Sequence, residues 1–164
     1  MAITYTPIAT NTLGSAAASV TFSSISSTYT DLVVVVSARN TTATYTAVIR
    51  LNGDSGSNYS STQLYGDGSS AASNRDTSRS YIDNILAASS GDASGVFSTS
   101  LVHIMNYANT TTYKTVLSRT NLAIQVATSV GLWRNTAAIN SVEVRSASNF
   151  ASGSTFTLYG IKAA

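Results

Sequence analysis

The stretch Asp31-Leu-Val-Val-Val-Val-Ser-Ala38 is the segment of this chain that decides its fold. Valine fits the pleated surface of a strand, and a purely aliphatic run of this length is far too short to span a bilayer. Successive side chains of a strand point to opposite faces, so an uninterrupted aliphatic run puts apolar groups on both faces. The stretch therefore predicts a central strand that is covered on both sides.

The remaining strand signals are short segments in which apolar and polar residues alternate, as in half-buried strands. In residues 45–51, for example, every second residue is apolar, and Asn52-Gly53 then supplies turn chemistry. Trp133, among apolar neighbours, is predicted to plug the core between two sheets rather than to form a sugar platform. Further strand signals lie at 3–6, 19–25, 96–107, 113–119, 122–128, 139–145 and 154–162. Together they predict an all-β fold, a jelly-roll-like antiparallel β-sandwich of about 8–10 strands in a single domain, residues 1–164.

The composition excludes several classes of function. The formal net charge of +2 is too small, and the arginines are too dispersed, for a nucleic-acid-binding surface. With no cysteine the chain has no thiolate metal site, and its single histidine has no second histidine with which to bind zinc. The start, MAITYTPIAT, lacks the basic and apolar segments of a signal peptide. We therefore expect no nucleic acid, no membrane, no metal and no cofactor among its partners.

The segment LNGDSGSNYS, residues 51–60, is open to three interpretations. Its Gly-Asp-Ser-Gly resembles the surround of a protease nucleophile, but Ser55 needs a histidine to accept its proton, and the single histidine, His103, lies downstream in a predicted strand. Asp54 could contribute to a calcium site, although calcium usually takes more than one carboxylate and only this one is local. A polar turn at Asn52-Gly53 explains the segment best, while calcium at Asp54 stays open from the sequence alone. No catalytic residue is predicted.

A long polar region, residues 52–92, is predicted as loop apart from short interruptions at 63–65 and 81–88, the second of which could instead form a helix. It is too long for a plain turn. Tyrosine and arginine are enriched at interface hot spots, because each gives a large contact area and a polar tip. The alternative is ordinary amphipathic surface. We favour an interface, with the candidate residues Tyr59, Tyr65, Arg75, Arg79 and Tyr81.

The order of several motifs along the chain resembles one family of proteins. Residues 149–162, NFASGSTFTLYGIK, look like the closing strand of small virion structural proteins of tailed bacteriophages. Residues 25–39, the segment LNGDSGSNYS and residues 112–115 are similar to segments of the same proteins, in the same order. The resemblance covers most of the chain from about Leu13 onward. It implies a jelly-roll-like sandwich, commonly trimeric, within a virion, and it supplies no catalytic residues.

The resemblance leads to two expectations of function. The first is a non-enzymatic capsid decoration (cement) protein, a homotrimer on the capsid surface. It would bind the phage major capsid protein through an extended N-terminal arm, residues 1–12, and the region 52–92. The second is a tail-fibre or tail-tip domain that binds a receptor or glycan through the tyrosines of that region. Strand signals run from residue 3 to two residues before the end, which leaves no shaft for a fibre and favours the capsid.

Overall fold

The computed structural model describes residues 5–162, and these residues form twelve β-strands. No residue in this range lies in a helix, so the helix considered for 81–88 is wrong, and the described chain has no helix that could cross a membrane. The strands are β1 (Tyr5–Thr12), β2 (Ala17–Phe22), β3 (Asp31–Ala38), β4 (Thr46–Leu51), β5 (Tyr59–Gly66), β6 (Ala71–Arg79), β7 (Ile82–Leu86), β8 (Ser98–Ile104), β9 (Lys114–Asn121), β10 (Val126–Trp133), β11 (Val142–Phe150) and β12 (Thr155–Ile161).

The strands form two antiparallel sheets that pack face to face. The larger sheet has eight strands in the order β1-β12-β3-β8-β9-β10-β5-β6, and the smaller sheet has four in the order β2-β11-β4-β7. The order β1-β12-β3-β8 in the larger sheet, facing β2-β11-β4-β7 in the smaller, is that of a jelly roll, while the β9–β10 and β5–β6 hairpins widen the larger sheet. The predicted jelly-roll-like sandwich in a single domain is confirmed, although twelve strands exceed the expected number.

The additional strands lie in the region 52–92, which was predicted as loop and in fact contains β5, β6 and β7. Strand β6 is an edge strand that is exposed along most of its length, so its sequence shows no alternation of apolar and polar residues. The predicted N-terminal arm is likewise corrected, since residues 5–12 are β1 and pair with β12. Residues 1–4 of that arm lie outside the described residues.

Strand β3 occupies the middle of the larger sheet, between β12 and β8. Its side chains Leu32, Val34 and Val36 are fully buried against the smaller sheet. Val33 and Val35 point to the opposite face, which no strand of residues 5–162 covers. Val33 is nevertheless buried and Val35 is half-buried, because residues of the adjacent strands β8 and β12 flank them. The predicted cover on both sides is therefore wrong for the described chain, which covers one face of this strand.

Hydroxyl groups line the interior where β7 faces the larger sheet. Ser98 Oγ donates a hydrogen bond to the carbonyl oxygen of Leu86 at 2.7 Å, and Ser100 Oγ lies 3.2 Å from the same oxygen. Thr120 Oγ1 accepts from the amide of Leu86 at 3.4 Å and bonds to the hydroxyl of Ser100. All three hydroxyl side chains are buried. Side chains of one sheet thus satisfy the backbone of an edge strand in the other.

Small residues on the inner face of β10 let β7 approach the larger sheet closely. A Cβ atom built on Gly131 would lie 2.5 Å from Cγ2 of Ile82, closer than real Cβ atoms come to a neighbour. Ala127 and Ser129, on the same face of β10, are also small and are buried. Beside Ala127, Ser129 and Gly131, the space between the sheets is therefore filled by the side chains of β7.

Gly131→Ala is expected to lower the free energy of unfolding by about 1–3 kcal/mol, because the added methyl group overpacks against Ile82. Urea denaturation followed by the fluorescence of Trp133, the single tryptophan, measures this change. Gly14→Ala is the matched control, since a Cβ atom there meets nothing within 4 Å. Equal free energies of unfolding for the two variants would contradict the close approach of the sheets.

Candidate interaction surface

The segment LNGDSGSNYS forms a turn that joins the two sheets between β4 and β5. Asn52 and Gly53 have φ angles of 52° and 65°, the left-handed region that favours asparagine and glycine. The amide of Asp54 closes the turn with a hydrogen bond of 3.0 Å to the carbonyl oxygen of Leu51. The interpretation of this segment as a polar turn is confirmed.

Hydrogen-bond donors of the protein itself occupy the carboxylate of Asp54. Its Oδ2 accepts from Nε1 of Trp133 at 2.7 Å and from Nδ2 of Asn58 at 2.9 Å, while Oδ1 accepts from the amide of Gly56 at 2.8 Å. Burial alone would raise the pKa of Asp54, but these hydrogen bonds and the charge of Arg50 together lower it. Oδ2 therefore holds the turn against β10 through Trp133, and Oδ1 shapes the turn itself, so both carboxylate oxygens serve the fold.

Tyr59 lies in the core, so its predicted place in an interface is wrong. Its side chain is fully buried, and its ring stacks on that of Trp133 with the centroids 6.2 Å apart. The hydroxyl of Tyr59 lies 3.1 Å from the carbonyl oxygens of both Leu51 and Asp54, and burial raises its pKa to about 12. Trp133 is also buried, which confirms that it plugs the core between the sheets.

The single histidine is paired with an aspartate that belongs to the neighbouring strand. Nε2 of His103, on β8, lies 2.9 Å from Oδ2 of Asp31, at the start of β3. Ser55 lies in the turn between β4 and β5, where its neighbour Asp54 is bonded to Trp133. The described residues therefore assemble no histidine–aspartate pair around Ser55, and none of their side chains form a metal-binding cluster.

The other predicted interface residues lie on or beside the β5–β6 hairpin. Tyr65 is 37% exposed, and Arg75 is exposed on the edge strand β6. Arg79 and Tyr81 are half-buried at the base of the hairpin, with the guanidinium carbon 5.3 Å from the ring centroid. Nε of Arg79 also lies 3.5 Å from Oδ1 of Asp76. The hairpin thus brings Tyr65 and Arg75 to the surface, whereas Arg79 and Tyr81 fasten its base.

The larger sheet carries an apolar surface on its outer face, which points away from the smaller sheet. Leu64, Val126 and Val130 on this face are 59%, 62% and 51% exposed. A groove of about 750 Å³ crosses strands β8, β9, β10, β5 and β6, and a second of about 390 Å³ continues towards Leu132. We call this surface the outer groove and define it by its apolar residues Leu64, Leu101, Leu117, Val126, Val130 and Leu132, with the two arginines Arg75 and Arg119.

The outer groove carries positive charge and no carboxylate. Arg119 lies on β9 between Leu101 of β8 and Thr128 of β10, and Arg75 lies on β6 opposite Thr62. None of the ion pairs formed within residues 5–162 includes either of these guanidinium groups. Aliphatic area combined with unpaired arginines is typical of surfaces that other proteins cover.

The outer groove was not predicted, although one feature of the sequence signals it. In β10 the larger aliphatic residues, Val126 and Val130, alternate with the small residues that face β7. Strands that put small residues on the core face and large aliphatic ones on the other indicate a second buried face.

The comparisons with known proteins show no family for this chain. No family model matches it, and no curated protein matches it. An exo-inulinase from Aspergillus awamori aligns with a TM-score of 0.46 and 13% identity, over 96% of this chain but only 29% of the exo-inulinase chain. Alginate lyase Aly36B in complex with an alginate tetrasaccharide aligns with a TM-score of 0.33 and 9% identity, over 83% of this chain and 72% of the lyase. None of these similarities bears on function.

The contribution of Asp54 to stability is expected to depend on pH, and Asp54→Asn isolates it. Because the folded pKa of Asp54 is lowered, the carboxylate stabilises the fold above the unfolded value of about 4. This contribution is lost as the pH falls through the folded pKa. The difference in the free energy of unfolding between wild type and Asp54→Asn should therefore shrink from about pH 6 to about pH 2. Urea denaturation at both values measures it, and a constant difference would contradict the role assigned to Asp54.

Proposed function

We propose that this protein is a non-enzymatic virion structural protein of a tailed bacteriophage, a capsid decoration (cement) protein that acts through protein–protein contacts. The observation that carries the proposal is the outer groove, where Leu64, Val126 and Val130 are more than half exposed. Soluble monomers rarely keep a contiguous apolar patch uncovered, and larger patches of this kind mark interaction sites. The resemblance of segments such as 149–162 to phage virion proteins supplies the setting.

The composition suits a protein that stabilises a shell through many moderate contacts. Only 10% of the residues are charged, so contacts rely on apolar area and hydroxyl groups, which salt screens little. On a capsid surface each copy meets several neighbours at once, and moderate contacts then add through multivalency. A homotrimer on the capsid surface, as the resemblance implies, strengthens this effect because three copies bind the shell together.

The β5–β6 hairpin is the part of the region 52–92 best placed to contact the major capsid protein. Both faces of β6 are largely exposed, and its outer edge pairs with no strand of residues 5–162. The hairpin also carries the exposed Tyr65 and Arg75, which combine contact area with a directional charge. Strand β1, at the opposite edge of the same sheet, is paired on one side with β12 and is also exposed along most of its length.

Particles that carry the protein are expected to burst at a higher temperature than particles that lack it. Adding back wild-type protein should restore the bursting temperature, because the outer groove is covered again on assembly. Val130→Asp, which places a charge in the outer groove, should fail to restore it. Thr21→Asp, on an exposed position of β2 in the smaller sheet, is the matched control and should restore it fully.

Equal bursting temperatures with and without the protein would contradict the cementing role. Tyr65→Ala distinguishes the tail-associated alternative, since Tyr65 is an exposed aromatic residue of the region expected to bind a receptor or glycan. Loss of host adsorption in this variant, with the bursting temperature unchanged, would favour that alternative over decoration.

A further inference from the structure

We propose that the outer groove of each copy binds the tip of the β5–β6 hairpin of a second copy of this chain, with Asp67 of the tip placed against Arg119. The tip consists of residues 66–70, which connect β5 to β6. This inference rests on the proposed function. It identifies a second copy of this chain as the protein that covers the outer groove. The contact pairs one carboxylate and one guanidinium group that form no ion pair within residues 5–162.

The hairpin tip is a well-defined turn that presents a carboxylate to solvent. Oδ1 of Asp67 accepts hydrogen bonds from the amides of Ser70 and Ser69 at 2.8 and 2.9 Å. These hydrogen bonds hold the pKa of Asp67 well below its ordinary range, so the side chain stays charged. Tyr65, just before the tip, adds an exposed aromatic surface. The tip therefore combines a fixed negative charge with apolar contact area.

Among the described residues, Asp67 is the one carboxylate whose hydrogen bonds all go to serines of its own turn. None of the ion pairs within residues 5–162 includes it. The other carboxylates are engaged elsewhere in the fold: Asp31 with His103, Asp54 with Trp133, Asp76 and Asp83 with Arg79, Asp92 with Tyr45, and Glu143 with Arg50.

The outer groove offers the complement of this tip. Its two arginines have no ion-pair partner within the described chain, and no carboxylate lines either part of the groove. Arg119 is flanked by Leu101 and Thr128, so a carboxylate that reaches it is partly shielded from water. Charge pairs that are partly shielded attract more strongly than fully exposed pairs.

Two other ways of joining copies are disfavoured by the same charges. Packing two outer grooves face to face would bring Arg75 and Arg119 of both copies together without a carboxylate, and such like-charge contacts are costly. Pairing two β6 edges would align a strand that carries Arg75, Asp76 and Arg79, and charges on an edge strand oppose pairing of this kind. The tip-to-groove contact is the arrangement that places opposite charges together.

The contact is large enough for a stable oligomer only when each copy both gives a tip and receives one. Five strands about 4.8 Å apart and about 20 Å long give the outer groove a footprint of roughly 500 Å². A standard interface needs about 800 Å² from each partner. In a closed ring each copy gives one tip and receives another, so it buries roughly twice this area over two contacts, and closure of the ring makes the two contacts cooperative. A homotrimer is the ring that the resemblance to virion proteins implies.

Sedimentation velocity of the full chain in solution tests the contact. Wild type is expected to be oligomeric, and Arg119→Gln should raise the Kd of self-association by about 10-fold or more. Asp67→Asn should do the same while it keeps the Oδ1 acceptor that shapes the tip. Arg145→Gln removes an exposed positive charge from β11 of the smaller sheet and is the matched control, with no change expected.

A wild-type protein that stays monomeric at about 100 µM would overturn the inference, as would Arg119→Gln with unchanged self-association. If Arg145→Gln weakens association as much as Arg119→Gln does, the effect is one of net charge and the inference also fails. These outcomes are separate from those of the bursting assay. A monomeric protein that still raises the bursting temperature would reject this contact and leave the decoration role standing.

Discussion

The hydrogen bonds between buried hydroxyls of the larger sheet and the backbone of β7 are the constraint on which the rest of the structure depends. Ser98, Ser100 and Thr120 satisfy the amide and carbonyl groups of Leu86, which would otherwise be buried without partners at a cost of about 1–3 kcal/mol each. Such bonds require β7 to lie close to the larger sheet. Close approach in turn requires small residues such as Gly131 on the inner face, so the aliphatic residues of the same strand lie outside.

The placement of small residues inside and aliphatic residues outside on β10 connects the fold to the proposed function. The four strands of the smaller sheet cover one face of an eight-stranded sheet, and the other face keeps Leu64, Val126 and Val130 exposed. The apolar area needed for a second layer is therefore present in the chain, but the described residues supply no second layer. Under the proposed function, a copy of the same protein or another protein of the shell supplies that layer. Folding and assembly then use the same hydrophobic effect on opposite faces of one sheet.

The sequence predicts those parts of the structure that are determined by residues close to one another along the chain. Alternation identifies β4 and β11, the aliphatic run identifies β3, and Asn52-Gly53 identifies the turn with positive φ. Strand β6 was missed because an edge strand exposed along most of its length needs no apolar period. Tyr59 was placed at the surface because its polar neighbours suggested a loop, whereas the following strand turns its ring onto Trp133. The outer groove depends on which face of β10 meets the smaller sheet, and only the pairing of distant strands decides that.

The central claim is that the outer face of the larger sheet is buried when the protein is assembled. Hydroxyl-radical footprinting of the assembled protein and of the dissociated chain, read out by mass spectrometry, tests this claim most directly. The account predicts that Leu64, Val126 and Val130, each more than half exposed in the single chain, are oxidised in the dissociated chain and protected in the assembly. Equal oxidation of these three side chains in both states would contradict it.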